Sequence, residues 1–256
     1  MRPGFEDQAA GLRRLLHRAP PQVLSVVCCG PHAVSWLADQ ARLKAAQGSS
    51  VVAFDELDCC GNLADALGAA PRFDLLQAVE REVPLEMARL AVGRGLHLLS
   101  TARLSRALPG ADRRFAARLA DTCRRLQLGA DLWLVHSRPG AGNGLSALAM
   151  AAHRMMVVVE GNARSVTEAY ALLKQIRRGP WPQIDLAVAG DGAKAEETLV
   201  ANLIDVVQQN TPLAVRRVRG LDACVAAANA VLGRRDQRYL ERVMVIAQRA
   251  PMALSV

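Results

Sequence analysis

Three short segments carry the residues whose types could do chemistry, and each follows an apolar run. Val23 to Val27 leads into Cys28-Cys29-Gly30-Pro31-His32-Ala33-Val34-Ser35. Val51 to Phe54 leads into Asp55-Glu56-Leu57-Asp58-Cys59-Cys60-Gly61-Asn62, and Leu132 to Val135 ends in His136. A phosphate cradle exposes several backbone N–H groups through glycines and meets the terminal phosphates with a lysine. The first segment has one glycine and no lysine. Carboxylates at a strand end hold magnesium or orient a water, and Asp55 is the best placed for that work. Neutral imidazole suits so hard an ion poorly, which counts against His136 as a magnesium ligand. Asp55 with His136 is the one pair worth testing. Neither His136 nor His97 has a nucleophile and an orienting acid that can be paired with it, so no catalytic residue is assigned. Cys28-Cys29 and Cys59-Cys60, with His32 nearby, match no zinc spacing. Vicinal cysteines strain simultaneous ligation, and no metal site is expected.

These segments need a frame that brings strand ends together. From Val23 onward, short apolar runs alternate with stretches of helical period, which argues for βαβ units and a doubly wound, mostly parallel sheet in the α/β class. The strands are expected at Val23 to Val27, Val51 to Phe54, Leu96 to Leu99, Leu132 to Val135, Met155 to Val159, Leu186 to Val188 and Val215 to Val218. Helices are expected near 33–47, 62–68, 74–79, 84–92, 112–127, 144–153, 165–178, 194–209, 221–232 and 236–249. In such a sheet, ligands sit beyond the carboxyl ends of the strands, where the three segments lie.

Ahead of the sheet, residues 7–18 read as a short helix that Asp7 can cap, with Leu12, Leu15 and Leu16 beside Arg13, Arg14 and Arg18. Pro20 and Pro21 stop it. The expected organisation is thus an N-terminal helical appendage and linker at 1–20, a candidate partner-binding element, and an α/β domain at 21–256. Gly11 costs roughly 1 kcal/mol relative to alanine in a helix, which suits an element that orders on binding. The last helix gathers Leu240, Val243, Met244 and Ala247 on one face. With Arg238 and Arg242 it is a candidate contact for an anionic membrane surface, the alternative being a helix packed on the sheet.

The chain of 256 residues is 51% hydrophobic but only 4% aromatic, which gives an aliphatic core large enough for one main domain. Its longest apolar runs fall short of the ~20 residues that cross a bilayer. With a charged N-terminus and no apolar leader, the six cysteines are read as reduced and the chain as cytoplasmic. The net charge of +8 comes mostly from arginine, densest at Arg216, Arg217 and Arg219 and at Arg234, Arg235, Arg238 and Arg242. No aromatic residues interleave to stack bases, and nucleic acid is not an expected partner.

The order of elements resembles the MinD/ParA superfamily, and specifically its FlhG (FleN, YlxH) regulators of flagellar number. Asp7-Gln8-Ala9-Ala10-Gly11-Leu12-Arg13 matches that family's D-Q-A-x-x-L-R activator motif at every fixed position. Ser165-Val166-Thr167-Glu168-Ala169-Tyr170-Ala171-Leu172-Leu173-Lys174 is similar to its S-x-T-D-A-Y-A-x-I-K helix. Gly61 to Gly68, followed by Asp74-Leu75, resembles the segment after its second strand. The resemblance implies that Asp7, Gln8, Ala9, Leu12 and Arg13 dock on an FlhF-like, signal-recognition-type GTPase and stimulate it. Flagellar switch-complex proteins, or a flagellar transcription activator, are further partners it suggests, at the inner membrane or cell pole.

The family's Walker A motif, G-K-G-G-V-G-K-T, falls on Cys29, Gly30, Pro31, His32, Ala33, Val34, Ser35 and Trp36. Both lysines are absent, and Trp36 replaces the magnesium-binding threonine. Leu57 stands at the second aspartate of D-x-D, His136 at the Walker B aspartate, and Ala189-Gly190 at the base-reading asparagine. These losses remove most of the electrostatic stabilisation that phosphoryl transfer needs. A pseudo-ATPase without an ATP or magnesium cofactor is expected. Two alternatives are an active ATPase in which Asp55 and Lys174 or an arginine supply the missing charges, and a basic adaptor that binds DNA or a transcription regulator.

Overall fold

The computed structural model describes residues 20–138, 144–152, 154–176, 181, 183–190, 194–231 and 238–249. The strands are β1 (Gln22–Cys29), β2 (Val51–Asp55), β3 (Leu90–Gly93), β4 (Leu96–Ser100), β5 (Leu132–Ser137), β6 (Arg154–Glu160), β7 (Ile184–Ala189) and β8 (Val215–Arg217). The helices are α1 (Pro31–Ala46), α2 (Leu63–Ala66), α3 (Leu75–Val79), α4 (Leu85–Ala88), α5 (Ala102–Ala107), α6 (Arg113–Gln127), α7 (Ala147–Met150), α8 (Ala163–Gln175), α9 (Lys194–Asn210), α10 (Leu221–Val231) and α11 (Tyr239–Arg249).

The strands form one sheet in the order β3-β4-β2-β5-β1-β6-β7-β8. Every pairing is parallel except β3 with β4. Parallel strands lie between two helical layers, so their residues are apolar on both faces. On β1, Leu24, Val26 and Cys28 pack with α1, α2 and α10, whereas Val27 and Cys29 pack with α8 and α9. Val52, Phe54, Trp133 and Val135 meet a third cluster, made with α3 to α7 and α11. The chain progresses to one side of β1 through β2, β4 and β5 and to the other side from β6 onward. The crevice of the sheet therefore opens where β1 and β6 end side by side, with Cys29 opposite Val159.

The expected strands are all present, while several helices differ. The helix expected over 84–92 ends at Ala88. Leu90–Gly93 pairs antiparallel with β4, because Gly95, at φ +74°, lets the chain reverse between two apolar runs. The helix expected over 144–153 is four residues long, and α5 was not anticipated. The start of α1 is Pro31 rather than residue 33, since proline has no N–H to leave unpaired in a first turn. The expected helix at 7–18, with Asp7, Gln8, Ala9, Leu12 and Arg13, lies outside the described residues.

The last helix is docked on the domain. Tyr239 Oη donates to the Leu148 carbonyl at 2.8 Å, and Arg242 Nε to the Ala151 carbonyl at 3.0 Å. The Tyr239 ring stands edge-on to Trp133 at 5.9 Å. Val243 and Ala247 are fully buried, and Leu240 and Met244 are half-buried against the same cluster. Of the residues offered for a membrane surface, Arg238 is exposed and Arg242 half-buried. Among the described residues, no helix is long and apolar enough to cross a membrane.

Candidate functional site: a closed cradle at the carboxyl edge of the sheet

β1 ends at Cys29 and α1 begins at Pro31, leaving Gly30 as the whole connection. The positions expected to be a degenerate nucleotide site, Cys29 to Trp36, are thus a strand end, a single-residue turn and the first turns of a helix. Gly30 has φ +110°, a conformation that a residue with a Cβ rarely adopts. A Cβ there would also overlap the carboxylate of Glu160. Both requirements select glycine.

Glu160 is the last residue of β6, and its side chain reaches over this turn. The His32 backbone N–H donates to Glu160 Oε1 at 2.8 Å, and Asn162 Nδ2 donates to Oε2 at 2.8 Å. Helix α1 has no side-chain N-cap of its own and no acidic residue in its first turn. The N-terminal N–H groups of a helix carry partial positive charge and favour an anion, which Glu160 supplies from a distant strand. Ser165 holds the arrangement in place. Its hydroxyl donates to the Cys29 carbonyl at 2.5 Å and accepts from Glu160 N at 2.8 Å, while Asn162 caps α8 by accepting from Ser165 N at 2.9 Å. The serine that begins the S-x-T motif therefore joins the ends of β1 and β6.

Around the carboxylate lies an open groove of about 640 Å³, lined by Gly30, His32, Cys60, Arg138, Glu160 and Arg164 among others. Arg164 is highly exposed and pairs with Glu168 at 3.2 Å. Ser35 is exposed on α1, and Trp36 is half-buried against the core. Burial pushes the Cys29 thiol up to about 12, with the Glu168 charge adding to it, and burial also raises Cys28 well above its usual value. Such thiols are poor sources of thiolate for a metal. Cys59 and Cys60 are exposed, whereas Cys28 and Cys29 are buried. Among the described residues, no group of three or more His, Cys, Asp or Glu side chains could hold a metal ion.

The second segment is also filled. Asp55 is 2% exposed and faces His136, 1% exposed, across the β2–β5 register, with Oδ1 3.0 Å from Nδ1. Oδ1 also accepts from Leu57 N at 3.3 Å, and Oδ2 accepts from Ala64 N at 2.9 Å. With a proton on Nδ1, His136 donates to the Asp55 carboxylate. The aspartate read from sequence as a magnesium candidate is consequently consumed as an internal acceptor that ties β2 to β5 and caps the approach to α2. Leu57 backs onto Asp55 through its amide instead of providing a second carboxylate.

Two residues that sequence reasoning passed over complete the region. Glu56 accepts from Ser146 Oγ at 2.5 Å, and Ser146 in turn caps α7. Burial pushes the Glu56 carboxyl from 4.5 up to about 8; the Ser146 bond opposes that rise and the nearby Asp55 charge adds to it. Glu160 is the more consequential omission. Its available signal was an acidic residue closing the apolar run Met155 to Val159 directly before Gly161-Asn162.

Lys174 lies on the exposed face near the end of α8, roughly 14 Å along the helix from Ser165, too far to serve as the missing phosphate-loop lysine. In the basic run near β8, Arg216 is paired with buried Asp185 at 2.8 Å and Arg217 with Glu197 at 3.0 Å.

No family model matches the chain, and no curated protein matches it in sequence. Solved structures do. The MinD cell division protein of Aquifex aeolicus superposes with a TM-score of 0.54 at 16% identity, over 92% of this chain and 100% of that one. A ParA family ATPase from Chlorobium tepidum gives 0.51 at 16% identity, covering 89% and 98%. Cobyrinic acid a,c-diamide synthase of Mycobacterium smegmatis, solved with ADP and magnesium, gives 0.52 at 17% identity, covering 84% and 97%. At such identities the likeness is one of architecture, and on that basis the chain has the α/β fold of the MinD- and ParA-type P-loop NTPases.

Proposed function

We propose that this chain is a regulator on a MinD/ParA-type fold that does not turn over nucleotide. It acts through its N-terminal segment on an FlhF-like GTPase to limit flagellar number or placement. The observation that carries the first half is the one-residue turn at Gly30 with the Glu160 carboxylate on it. A triphosphate needs a loop that wraps it, a lysine and a magnesium shell; here the loop is absent, an anion of the chain's own fills the position, and Asp55 is committed to His136. The second half is supported by the activator motif at Asp7 to Arg13. Any catalysis belongs to the partner.

Residence at the inner membrane or cell pole would draw on the basic last helix. In its docked form Val243 is enclosed, so lipid contact through the apolar face requires breaking the Tyr239 and Arg242 bonds to α7 and the residue that follows it.

Two measurements test the proposal. Calorimetry with ATP and magnesium is expected to show no binding; micromolar affinity with turnover would sink the non-hydrolysing reading. The full-length chain is expected to raise the GTPase rate of an FlhF-like partner, and Gln8→Ala to abolish the increase. Equal stimulation by both, or by neither, would remove the activator assignment.

A further inference from the structure

The Glu160 carboxylate does more than cap a helix. Caps come most cheaply from the neighbouring residue, because no long loop has to close to deliver them. Here residue 30 is glycine, and the acceptor arrives from the end of another strand, 128 positions along the chain from His32. It is held by three supports: the His32 amide, the Asn162 side chain, and the Ser165 hydroxyl that anchors its backbone to Cys29. Glu160 is 8% exposed, yet the groove on its outer side is open, about 640 Å³, with Arg138 and Arg164 on its wall. A purely structural cap has no need of such room. The position is also the crevice between β1 and β6, where a sheet of this topology presents a helix N-terminus to an anion.

We infer that Glu160 is a tethered stand-in for an exogenous oxyanion, fixing the one-residue turn and the first turn of α1 without any ligand. The inference deepens the proposed reading and rests on the cradle being closed to nucleotide in the natural chain. Its consequence is a first turn of α1 that is permanently set. A cradle of this kind ordinarily gains order when an anion binds and loses it on release, and that equilibrium is removed when the anion is covalently part of the protein. The substitution also explains the joint requirement at Gly30, since only a residue without a Cβ leaves space for the carboxylate.

The experiment is chemical rescue. Thermal unfolding of the full chain, Glu160→Ala and Glu160→Gln is followed in sodium phosphate and in sodium chloride at matched ionic strength, together with amide exchange at His32. The wild type is expected to show only the small general stabilisation that phosphate gives a folded protein over chloride. Glu160→Ala is expected to melt roughly 5 °C lower in chloride, to recover most of that in phosphate, and to exchange the His32 amide at least about tenfold faster until phosphate is added. Glu160→Gln fills the same space without the charge, so it is expected to speed His32 exchange in a way that phosphate does not reverse, and it carries the test if the alanine variant does not fold in chloride. Equal phosphate responses in wild type and Glu160→Ala, or His32 exchange unchanged by either substitution, would overturn the inference. ATP binding by the wild type would instead overturn the non-hydrolysing reading, so the two fail separately.

Discussion

Glu160 and Asp55 both close strands at the carboxyl edge of the same sheet, with β1 and β5 between them, yet their surroundings differ in kind. Asp55 is sealed: every partner is internal, and its neighbour His136 is equally enclosed. Glu160 has internal partners on one side and an open groove on the other. Two strand-end carboxylates at one edge of the sheet are thus held by the chain in different ways. The first is a permanent tie between strands, and the second a plug in a crevice that keeps its shape. Buried polar groups left without partners cost more than ones that satisfy each other, and both carboxylates meet that requirement.

The comparison breaks most visibly at the sealed end. Asp55→Ala leaves the His136 N–H and the Ala64 amide without their acceptor in a closed space, and should cost about 4 kcal/mol in urea unfolding. A loss under about 1 kcal/mol would mean that the tie is not structural. Gly30→Ala is next, since it meets both a disfavoured backbone and the Glu160 carboxylate. About 2–3 kcal/mol is expected, and combining it with Glu160→Ala should recover part of that by making room.

Glu56 gives the pH dependence. Its carboxyl titrates near 8 in the folded chain, against 4.5 when free, so the folded state holds a proton that the unfolded state has released across that window. Stability should therefore be greatest at or below pH 4.5 as far as this group is concerned. It should fall as pH rises toward 8 by no more than about 1.4 kcal/mol per unit, and level off above. Glu56→Gln should flatten that slope, and an unchanged slope would show that the proton is held elsewhere. The smallest effect sharpens the picture away from the crevice. Tyr239→Phe should cost about 1 kcal/mol and loosen α11 without altering either filled site, as amide exchange along the helix would report.

The strands were legible because five or so consecutive aliphatic residues between turn signals leave little else for the chain to do in a protein of this size. The edge hairpin was not, since Leu90 to Leu99 continues the apolar character of the helix before it and only Gly93 and Gly95 mark the reversal. At the candidate site, the absent lysines were plain from composition alone. The carboxylate that sits on the turn was not, because Glu160 lies far in sequence from His32, and an acidic residue after a strand ordinarily reads as a solvated one. For Asp55, residue type gave a carboxylate at a strand end, and only the opposing position of His136 in the β2–β5 register shows which partners its oxygens have.

The two ends of the sheet carry a final consequence. One border is the short β3, whose pairing with β4 shifts register between Ala91 and Gly93, and the other is β8, three residues long with two arginines held in ion pairs. Neither offers a long, flat row of free peptide groups onto which another strand could be laid. Growth of the protein into larger assemblies by strand addition is thereby discouraged at both borders, and recognition is left to helical faces and side chains, where it can be made and broken without threading a new strand.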